Sequence, residues 1–354
     1  MIPTPETIDA AWLTELVRAN GHPNARVARV SRERVGTGQI GKCIRFGLEY
    51  DGDPDGAPAT VVGKFPSDDP LSRETGIGLG NYHREVQFYR NLAARLPIRT
   101  PRCWFAEIEG RGADFAIVLD DLAPARQGEQ MAGCAVDVAR AAVSELVKLH
   151  ASTWQDESLL GLDWIEERTA DKGAMWREMY ASSLAPFLAR FGPVLAEDER
   201  EIIAQVAKSK GPPFVYPREP WSLVHIDFRL DNLMIDDRAQ PPRVTVVDWQ
   251  SMVLQSPLSD LAYFLGASLL PEVRRPAERE LVRGYHAGLV AAGVRDYDFA
   301  RCWDDYRRGA FAGFAVTVIA SVIVQETARG NEMFTAMARR HARHALDLGS
   351  AEFL

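Results

Sequence analysis

Three oxygen-bearing side chains have the types and spacing that acid–base and metal chemistry require. Asp227 and Asn232 lie five residues apart in HIDFRLDN, between two predicted strands, and Asp248 ends the next strand in VVDWQ. One carboxylate can orient a hydroxyl and accept its proton, while an amide and a second carboxylate hold Mg²⁺ against phosphate oxygens. The pattern predicts Asp227 as a catalytic base and Asn232 and Asp248 as metal ligands. Taken singly, each is also an ordinary turn residue.

Two more residues of this segment are candidates for a catalytic role. His225 is expected to order the loop, because a reacting hydroxyl proton has a nearer acceptor in Asp227; the alternative is that His225 is the general base. Arg229 can offset charge on a transferred group, or it can be a surface arginine. The sequence leaves both alternatives open.

A glycine-rich loop lies near the start of the chain. Gly36, Gly38 and Gly41 form GTGQIG, which matches the pattern G-x-G-x-x-G. A phosphate loop needs Ser or Thr where Cys43 stands, and a dinucleotide fingerprint needs a following helix, whereas residues 44–50 alternate like a strand. Between antiparallel strands such a loop can cover nucleotide phosphates with main-chain N–H groups. An ordinary glycine-rich hairpin turn is the alternative.

A lysine and a glutamate follow this loop. Lys64 ends the predicted strand 59–65, and Glu85 lies near the inward face of a helix that carries Tyr82, Val86 and Tyr89 at helical spacing. A lysine held by a carboxylate can reach nucleotide phosphates, although most lysines and glutamates are solvated surface residues. Their order after the glycine loop favours the functional interpretation.

The elements that must position these residues fall into two regions. The first third reads as strands, with a predicted helix from Thr7, a loop at 66–79 and a second helix around Glu85. Helices dominate after Ala135, including one over 297–326, except for a β island at 222–248. The 354 residues suggest two lobes. The net charge of −8 argues against a nucleic-acid partner. The uncharged stretch 309–324 is short for a membrane span and is expected to be a buried helix.

The motifs together resemble the aminoglycoside phosphotransferase and choline/ecdysteroid-kinase-like superfamily. The resemblance runs from VGTGQIGK through VVGKF, REVQFYRNL and FAIVLDDLAP to HIDFRLDN and VVDWQSMVLQSPLSDLAYFL. It implies an α+β, two-lobed protein-kinase-like fold. The small lobe, residues 1–121, would hold an antiparallel sheet with one helix and bind nucleotide. The larger, mostly helical lobe, 122–354, would carry catalysis and the acceptor site.

The resemblance also implies roles for individual residues. Lys64 would contact the phosphates of ATP or GTP, anchored by Glu85, and main-chain groups of Leu119 and Asp121 would contact the base. Asp260 would brace the catalytic loop; by itself it could equally be a helix cap. The implied activity is Mg²⁺-dependent transfer of the γ-phosphate to a hydroxyl. Separately, four scattered cysteines without a CxxC pair indicate free thiols in a reducing cytoplasm.

The acceptor is expected to be a small molecule. Only twelve residues separate Asp248 from Asp260, which leaves no room for a long activation segment or a peptide platform. Asp304 and Asp305 could suit a cationic acceptor, and an apolar acceptor fits the sequence equally well. Four aromatic residues could cage a quaternary amine: Trp249, Tyr263, Trp303 and Tyr306.

Two other functions are compatible with parts of the pattern. A kinase-like nucleotide-binding interaction module would normally have lost one of the catalytic groups. All five are present in this sequence: Lys64, Glu85, Asp227, Asn232 and Asp248. A dinucleotide-dependent oxidoreductase would need a helix directly after Gly41. His341 and His344 could in principle bind a metal, but a surface position at a helix end is expected. The oligomeric state is not predicted.

Overall fold

A computed structural model describes residues 2–36, 40–167, 170–215 and 219–354 of the chain. The chain divides into two compact units. Unit 1 consists of Met1–Arg95, Thr100–Ala123 and Asp248–Gln250, and unit 2 of Leu96–Arg99, Pro124–Val247 and Ser251–Leu354. The assignment of nucleotide binding to 1–121 and of catalysis to 122–354 remains a prediction about function.

Unit 1 is built on an antiparallel sheet of five strands with the spatial order β1-β2-β3-β5-β4. The strands are β1 (Val27–Val35), β2 (Gly41–Tyr50), β3 (Thr60–Pro66), β4 (Cys103–Ile108) and β5 (Phe115–Asp120). The helices are α1 (Ala10–Ala19), α2 (Pro70–Gly78) and α3 (Asn81–Asn91). The register places Lys64 of β3 opposite Cys43 of β2 on one side and Ile117 of β5 on the other.

The core of unit 1 follows the alternation of its strands. Phe46 and Leu48 lie on one face of β2 and are buried together with Leu13 and Val17 of α1. Burial of each such side chain contributes about 1.5–3 kcal/mol, so this cluster fixes which face of the sheet is covered.

Unit 1 contains a helix, α2, beyond the helices that the sequence predicts from Thr7 and around Glu85. Residues 66–79 were expected to be a loop, but α2 begins there, with Pro70 in its first turn and the Asp69 carboxylate accepting the N–H of Ser72 at 2.8 Å. Both are helix start signals. At α1 the capping residue is Asp9, which accepts from Trp12, rather than Thr7.

Unit 2 is mostly helical and contains two small sheets. Its helices are α4 (Val136–Ser152), α5 (Ala170–Phe191), α6 (Glu197–Val206), α7 (Leu258–Ser268), α8 (Pro271–Ala291), α9 (Phe299–Gly309), α10 (Ala312–Ile323) and α11 (Ala328–Asp347). The strands are β6 (Arg126–Gln127), β7 (Glu166–Glu167), β8 (Ser222–Val224), β9 (Leu233–Asp236), β10 (Arg243–Val246) and β11 (Val253–Gln255). They form the sheets β10-β9-β6 and β7-β11-β8.

The apolar region after residue 297 forms two helices rather than one. α9 ends at Gly309 and α10 begins at Ala312, where Phe314 and Val318 enter the core as expected for the uncharged stretch. Among the described residues, Phe299–Ile323 has the length and composition to cross a membrane, with 56% of its apolar window buried in the protein. A core helix meets the same criterion, so this is weak evidence for a span.

The two histidines near the C-terminus lie in the core of unit 2, and the expectation of a surface position is wrong. His341 and His344 on α11 are both 0% exposed. His344 contacts Tyr306 and Glu278, at 2.9 and 2.8 Å. Interior packing therefore explains why these residues stand one helical turn apart.

Candidate active site

Lys64 lies between two carboxylates in unit 1. Its Nζ is 2.8 Å from Oε1 of Glu85 and 2.6 Å from Oδ1 of Asp248. The side chain of Lys64 is 13% exposed and that of Glu85 only 1%. The period of β3 turns Lys64 toward α3, and the inward face of α3 carries Glu85. The structure therefore brings together three of the predicted site residues.

Burial and neighbouring charges have opposite effects on the pKa values of Lys64 and Glu85. Burial alone would lower the pKa of Lys64, but the charges of Asp248 and Glu85 outweigh it and raise the pKa above its ordinary value. Burial raises the pKa of Glu85, and the Lys64 ammonium offsets only part of that rise. Lys64 is therefore a permanent cation at neutral pH, as a phosphate ligand must be.

Asp248 is held in place by the residues that follow it. Its backbone has φ +69°, a left-handed conformation that is uncommon outside glycine. Trp249 is fully buried and stacks on Phe88 of α3 with ring centroids 4.0 Å apart, and the Gln250 amide donates to Oδ2 of Asp248 at 3.2 Å. Trp249 is a core residue of unit 1, so the suggestion that it could belong to an aromatic cage is wrong.

The glycine-rich loop is described in part. Gly36 has φ +76° and Gly41 begins β2, while Gly38 lies outside the described residues. Because a strand follows Gly41, the helix required by a dinucleotide fingerprint is not there. Of the two residues predicted to contact the base, Leu119 lies within β5, whereas Asp121 follows that strand and pairs with Arg45 at 2.7 Å.

The Asp227 carboxylate in unit 2 accepts three hydrogen bonds from side chains. Oδ1 accepts from the Tyr263 hydroxyl at 2.8 Å and from Nε of Arg229 at 3.0 Å. Oδ2 accepts from the Asn232 amide at 2.9 Å. The carboxylate is 22% exposed, so it is fixed yet accessible to a reacting group.

The Asn232 side chain is oriented by the same contacts. Its Nδ2 donates to both the main-chain carbonyl and Oδ2 of Asp227, which leaves Oδ1 to face another partner. Its main-chain carbonyl accepts the N–H of Val247, the residue before Asp248, at 3.0 Å. An amide oxygen held in this way, and a carboxylate at Asp248, fit the oxygen ligands that Mg²⁺ prefers.

Arg229 is an internal partner of the loop. It bonds Asp227 through Nε and Asp231 through Nη1, and its side chain is 17% exposed. Burial alone would lower the pKa of Arg229, but the Asp227 charge outweighs it and raises the pKa. The surface-arginine alternative is wrong, and the guanidinium charge is already balanced by two carboxylates.

His225 enters the loop through its main chain and its outer ring nitrogen. Its N–H donates to Asp260 at 2.6 Å, and Nε2 lies 3.1 Å from the Val247 carbonyl, so Nε2 carries the proton. Asp260 also accepts the N–H of Ile226, and it therefore braces the loop as the resemblance implied. A histidine that donates to a carbonyl suits the loop-ordering role better than that of a base.

The sequence analysis missed a second brace, formed by residues 126–131. Gln130 is fully buried, accepts the N–H of Leu230 at 2.9 Å and donates its own N–H to Asp231 at 3.1 Å. Gly128 packs against the same loop: a Cβ there would lie 2.5 Å from the Leu230 carbonyl oxygen. The sequence RQGEQ, a glycine between two glutamines in a segment with no helical or strand period, is the one feature that could have indicated this brace.

The other residues suggested for a cationic acceptor have separate partners. Trp303 lies beside the Arg279 guanidinium, 4.8 Å from the ring centroid, and the buried Tyr306 hydroxyl donates to Glu278 at 2.6 Å. Asp305 accepts from the Tyr297 hydroxyl at 3.0 Å, and Asp304 is an exposed residue near Arg307. Trp303 and Tyr306 therefore pack against partners of their own within unit 2.

The fold and these residues define a class of protein. A five-stranded antiparallel sheet whose lysine is held by a helix glutamate, and a helical unit with an H-x-D-x-x-x-x-N loop, make an α+β, two-lobed protein-kinase-like fold. The chain belongs to the phosphotransferase enzyme family, whose model matches residues 77–295. A search of curated proteins finds no significant match.

Solved structures share this fold over nearly the whole chain. A candidate aminoglycoside phosphotransferase from Ralstonia eutropha JMP134 is 16% identical with a TM-score of 0.55, over 96% of this chain and 98% of that one. Choline kinase from Cryptosporidium parvum Iowa II is 9% identical with a TM-score of 0.54, over 96% and 95%. Spectinomycin phosphotransferase APH(9)-Ia, solved with ADP and spectinomycin, is 13% identical with a TM-score of 0.51, over 98% and 100%.

Proposed function

We propose that the chain is an O-phosphotransferase that moves the γ-phosphoryl group of ATP or GTP to a hydroxyl of a small molecule. In this reaction the acceptor oxygen bonds to the γ-phosphorus, the bond from that phosphorus to the β-phosphate oxygen breaks, and the hydroxyl proton leaves. The products are the phosphorylated acceptor and a nucleoside diphosphate.

The observation that carries the proposal is the buried ion group of Lys64, Glu85 and Asp248. Burying three charges costs several kcal/mol per ion, and such a group is weak evidence for stability. A phosphotransferase has a use for each member. Lys64 neutralises nucleotide phosphates, Glu85 fixes Lys64, and Asp248 offers a carboxylate oxygen to the metal.

In this proposal Asp227 is the catalytic base. The proton of the acceptor hydroxyl passes to Oδ2, which, among the residues that the structure describes, accepts one hydrogen bond, from Asn232. Arg229 and His225 act by holding the loop, because both are already engaged by loop or main-chain partners. Arg229 therefore pairs with Asp227 rather than with the transferred group.

Asn232 and Asp248 are the residues that would hold Mg²⁺. When bound, the metal would supply positive charge against the β- and γ-phosphate oxygens. The orientation of the Asn232 amide supports this assignment, since its nitrogen is engaged by Asp227 and its oxygen is not.

Similar solved structures support the proposed classes of nucleotide and acceptor. Similar structures are complexes with GDP, with gentamicin, and with ADP and spectinomycin. We propose that main-chain groups at Leu119 and Asp121, with the loop of Gly36, Gly38 and Gly41, complete the nucleotide site. We also propose a cytoplasmic protein without a nucleic-acid partner, in keeping with four free cysteines and a nucleoside triphosphate as substrate.

A nucleotide-consumption screen tests the proposal. The chain is incubated with Mg²⁺, ATP or GTP, and choline, an aminoglycoside, a sugar, a sterol or a hydroxy acid, with the Asp227→Asn variant as the blank. We expect diphosphate release with at least one acceptor, and a phosphoryl group on that acceptor by mass spectrometry. Tight nucleotide binding with no release in any arm would favour the interaction module instead.

A further inference from the structure

Among the described residues, the hydroxyl of Tyr263 is the only side-chain hydrogen-bond donor to Asp227 from outside residues 225–236. Tyr263 stands on α7, one turn after Asp260, and is 1% exposed. Burial, and then the charge of Asp227, raise the pKa of Tyr263 well above its ordinary value. The phenol therefore keeps its proton and donates it to Oδ1 as a hydrogen bond.

The Tyr263 ring is fixed from its other side by α10 and α11. The imidazole of His341 stacks on it, with centroids 5.2 Å apart and an angle of 19° between the planes. Gly313 lies against His341, because a Cβ at that position would collide with the imidazole ring. Neither ring nitrogen of His341 has a hydrogen-bond partner among the described residues. His341 therefore holds Tyr263 by ring stacking.

This packing gives the two Asp227 oxygens different surroundings. Within the described part of the chain, Oδ1 accepts from both the Tyr263 hydroxyl and the Arg229 guanidinium, whereas Oδ2 accepts from the Asn232 amide alone. A carboxylate oxygen accepts about two hydrogen bonds, so Oδ1 is filled and Oδ2 keeps a place for one more donor.

We propose that Tyr263 is a positioning residue: it fixes Oδ1 of Asp227, so that Oδ2 is the oxygen that meets the acceptor hydroxyl. This inference rests on the phosphotransfer function proposed above. The acceptor proton moves to Oδ2 as the oxygen–phosphorus bond forms, and the Tyr263 proton stays on its oxygen throughout. Without that donor the carboxylate can rotate, and misplacing a reacting group by about 1 Å can cost roughly 100-fold in rate.

The Tyr263→Phe variant tests the role in catalysis. We expect kcat to fall about 10- to 100-fold while the nucleotide KM stays within about twofold, because the Lys64 group is untouched. The matched control is Tyr180→Phe, which removes another fully buried phenol of unit 2, bonded to the Ile203 carbonyl at 2.9 Å. The control should keep the parent kcat; an equal kcat in Tyr263→Phe, or an equal loss in both variants, would overturn the inference.

A double-mutant cycle tests the contact without any turnover. The denaturation midpoints of the parent, Tyr263→Phe, Asp227→Ala and the double variant are compared. We expect the loss in the double variant to be smaller than the sum of the single losses. Additive losses would overturn the inference even in an active enzyme. Non-additive losses in a protein that phosphorylates nothing would uphold the contact and count against the proposed function.

Discussion

The Asp260 carboxylate accepts the main-chain N–H of Ile226 at 2.8 Å, and Ile226 has φ +72°. A β-branched residue in the left-handed region is strained, at a cost of about 1–3 kcal/mol. The second oxygen of Asp260 accepts the N–H of His225, so two successive amides point at one carboxylate. The strained turn comes directly before Asp227 and sets where its side chain begins.

We predict that Asp260→Ala destabilises the fold and removes activity. The substitution leaves two buried N–H groups without acceptors, which costs about 1–3 kcal/mol for each, and the left-handed turn at Ile226 relaxes. Urea denaturation and phosphotransfer assays measure the two effects. Asp305→Asn serves as the control, because Asp305 bonds the Tyr297 hydroxyl instead. A loss below about 1 kcal/mol with full turnover would show that Asp260 is not the brace.

Glu85→Gln should weaken nucleotide use without unfolding the protein. The amide keeps the shape of the side chain but removes one of the two charges that hold Lys64, so the ammonium is drawn toward Asp248. We expect the nucleotide KM to rise about tenfold, which corresponds to about 1.4 kcal/mol of binding free energy. Glu33→Gln is the matched control in the same unit, since Glu33 is exposed and lies 3.4 Å from Arg45. Equal KM values in parent and Glu85→Gln would contradict the role of Glu85.

The sequence predicted most of the elements because their signals are local. Phe46 and Leu48 alternate in β2, and Tyr82, Glu85 and Tyr89 recur at helical spacing, so periodicity alone orients these faces. The expected loop at 66–79 was wrong although Asp69 and Pro70 are start signals, because the residues of α2 have little apolar period to accompany them. The break after Gly309 is likewise set by packing: a Cβ there would meet the Leu258 carbonyl oxygen.

The sequence predicts those candidate site residues that belong to a motif. It does not predict those that reach the site only through tertiary packing. HIDFRLDN and VVDWQ identify Asp227, Asn232 and Asp248 by spacing, and the Lys64–Glu85 pair followed from the order of the elements. The roles of Tyr263 and Gln130 did not follow, because each reaches the loop from a distant part of unit 2. The sequence suggested only that Tyr263 could belong to an acceptor cage, because an isolated aromatic residue gives no sign of its partner.

A pair of glycine variants tests the brace formed by residues 126–131. In Gly128→Ala the new methyl group would lie 2.5 Å from the Leu230 carbonyl oxygen, so the loop must shift. We predict a loss of about 1–3 kcal/mol in stability together with a lower kcat. Gly284→Ala, on α8 with no atom near the new Cβ, should be neutral or stabilising by up to about 1 kcal/mol. Equal behaviour of the two variants would mean that residues 126–131 do not constrain the loop.

His341 should make the fold sensitive to acid. Burial lowers its pKa to about 3, below the value of about 6.5 in an unfolded chain. At pH values between these two pKa values, His341 is protonated in the unfolded chain and neutral in the folded protein. The free energy of unfolding therefore falls as pH drops, by up to about 1.4 kcal/mol per pH unit.

The His341→Leu variant removes this source of acid sensitivity. Between pH 6.5 and 5 it should lose about 1.6 kcal/mol less than the parent, measured by urea denaturation at both pH values. His286→Gln, which alters a half-buried histidine bonded to the Tyr297 carbonyl, is the control and should follow the parent. An unchanged pH dependence in His341→Leu would show that His341 is protonated in the folded protein.

The central claim is that Asp227 acts on the acceptor while Asp248 holds the metal. Calorimetric titration with Mg-ADP, run beside the transfer assay, tests this claim most directly. We predict that Asp227→Asn binds Mg-ADP within about threefold of the parent yet loses at least about 100-fold in transfer, because a base contributes about 10²–10⁴ in rate. Asp248→Asn should lose the Mg²⁺-dependent part of nucleotide binding. Turnover by Asp227→Asn at the parent rate, or unchanged Mg-ADP binding by Asp248→Asn, would contradict the account.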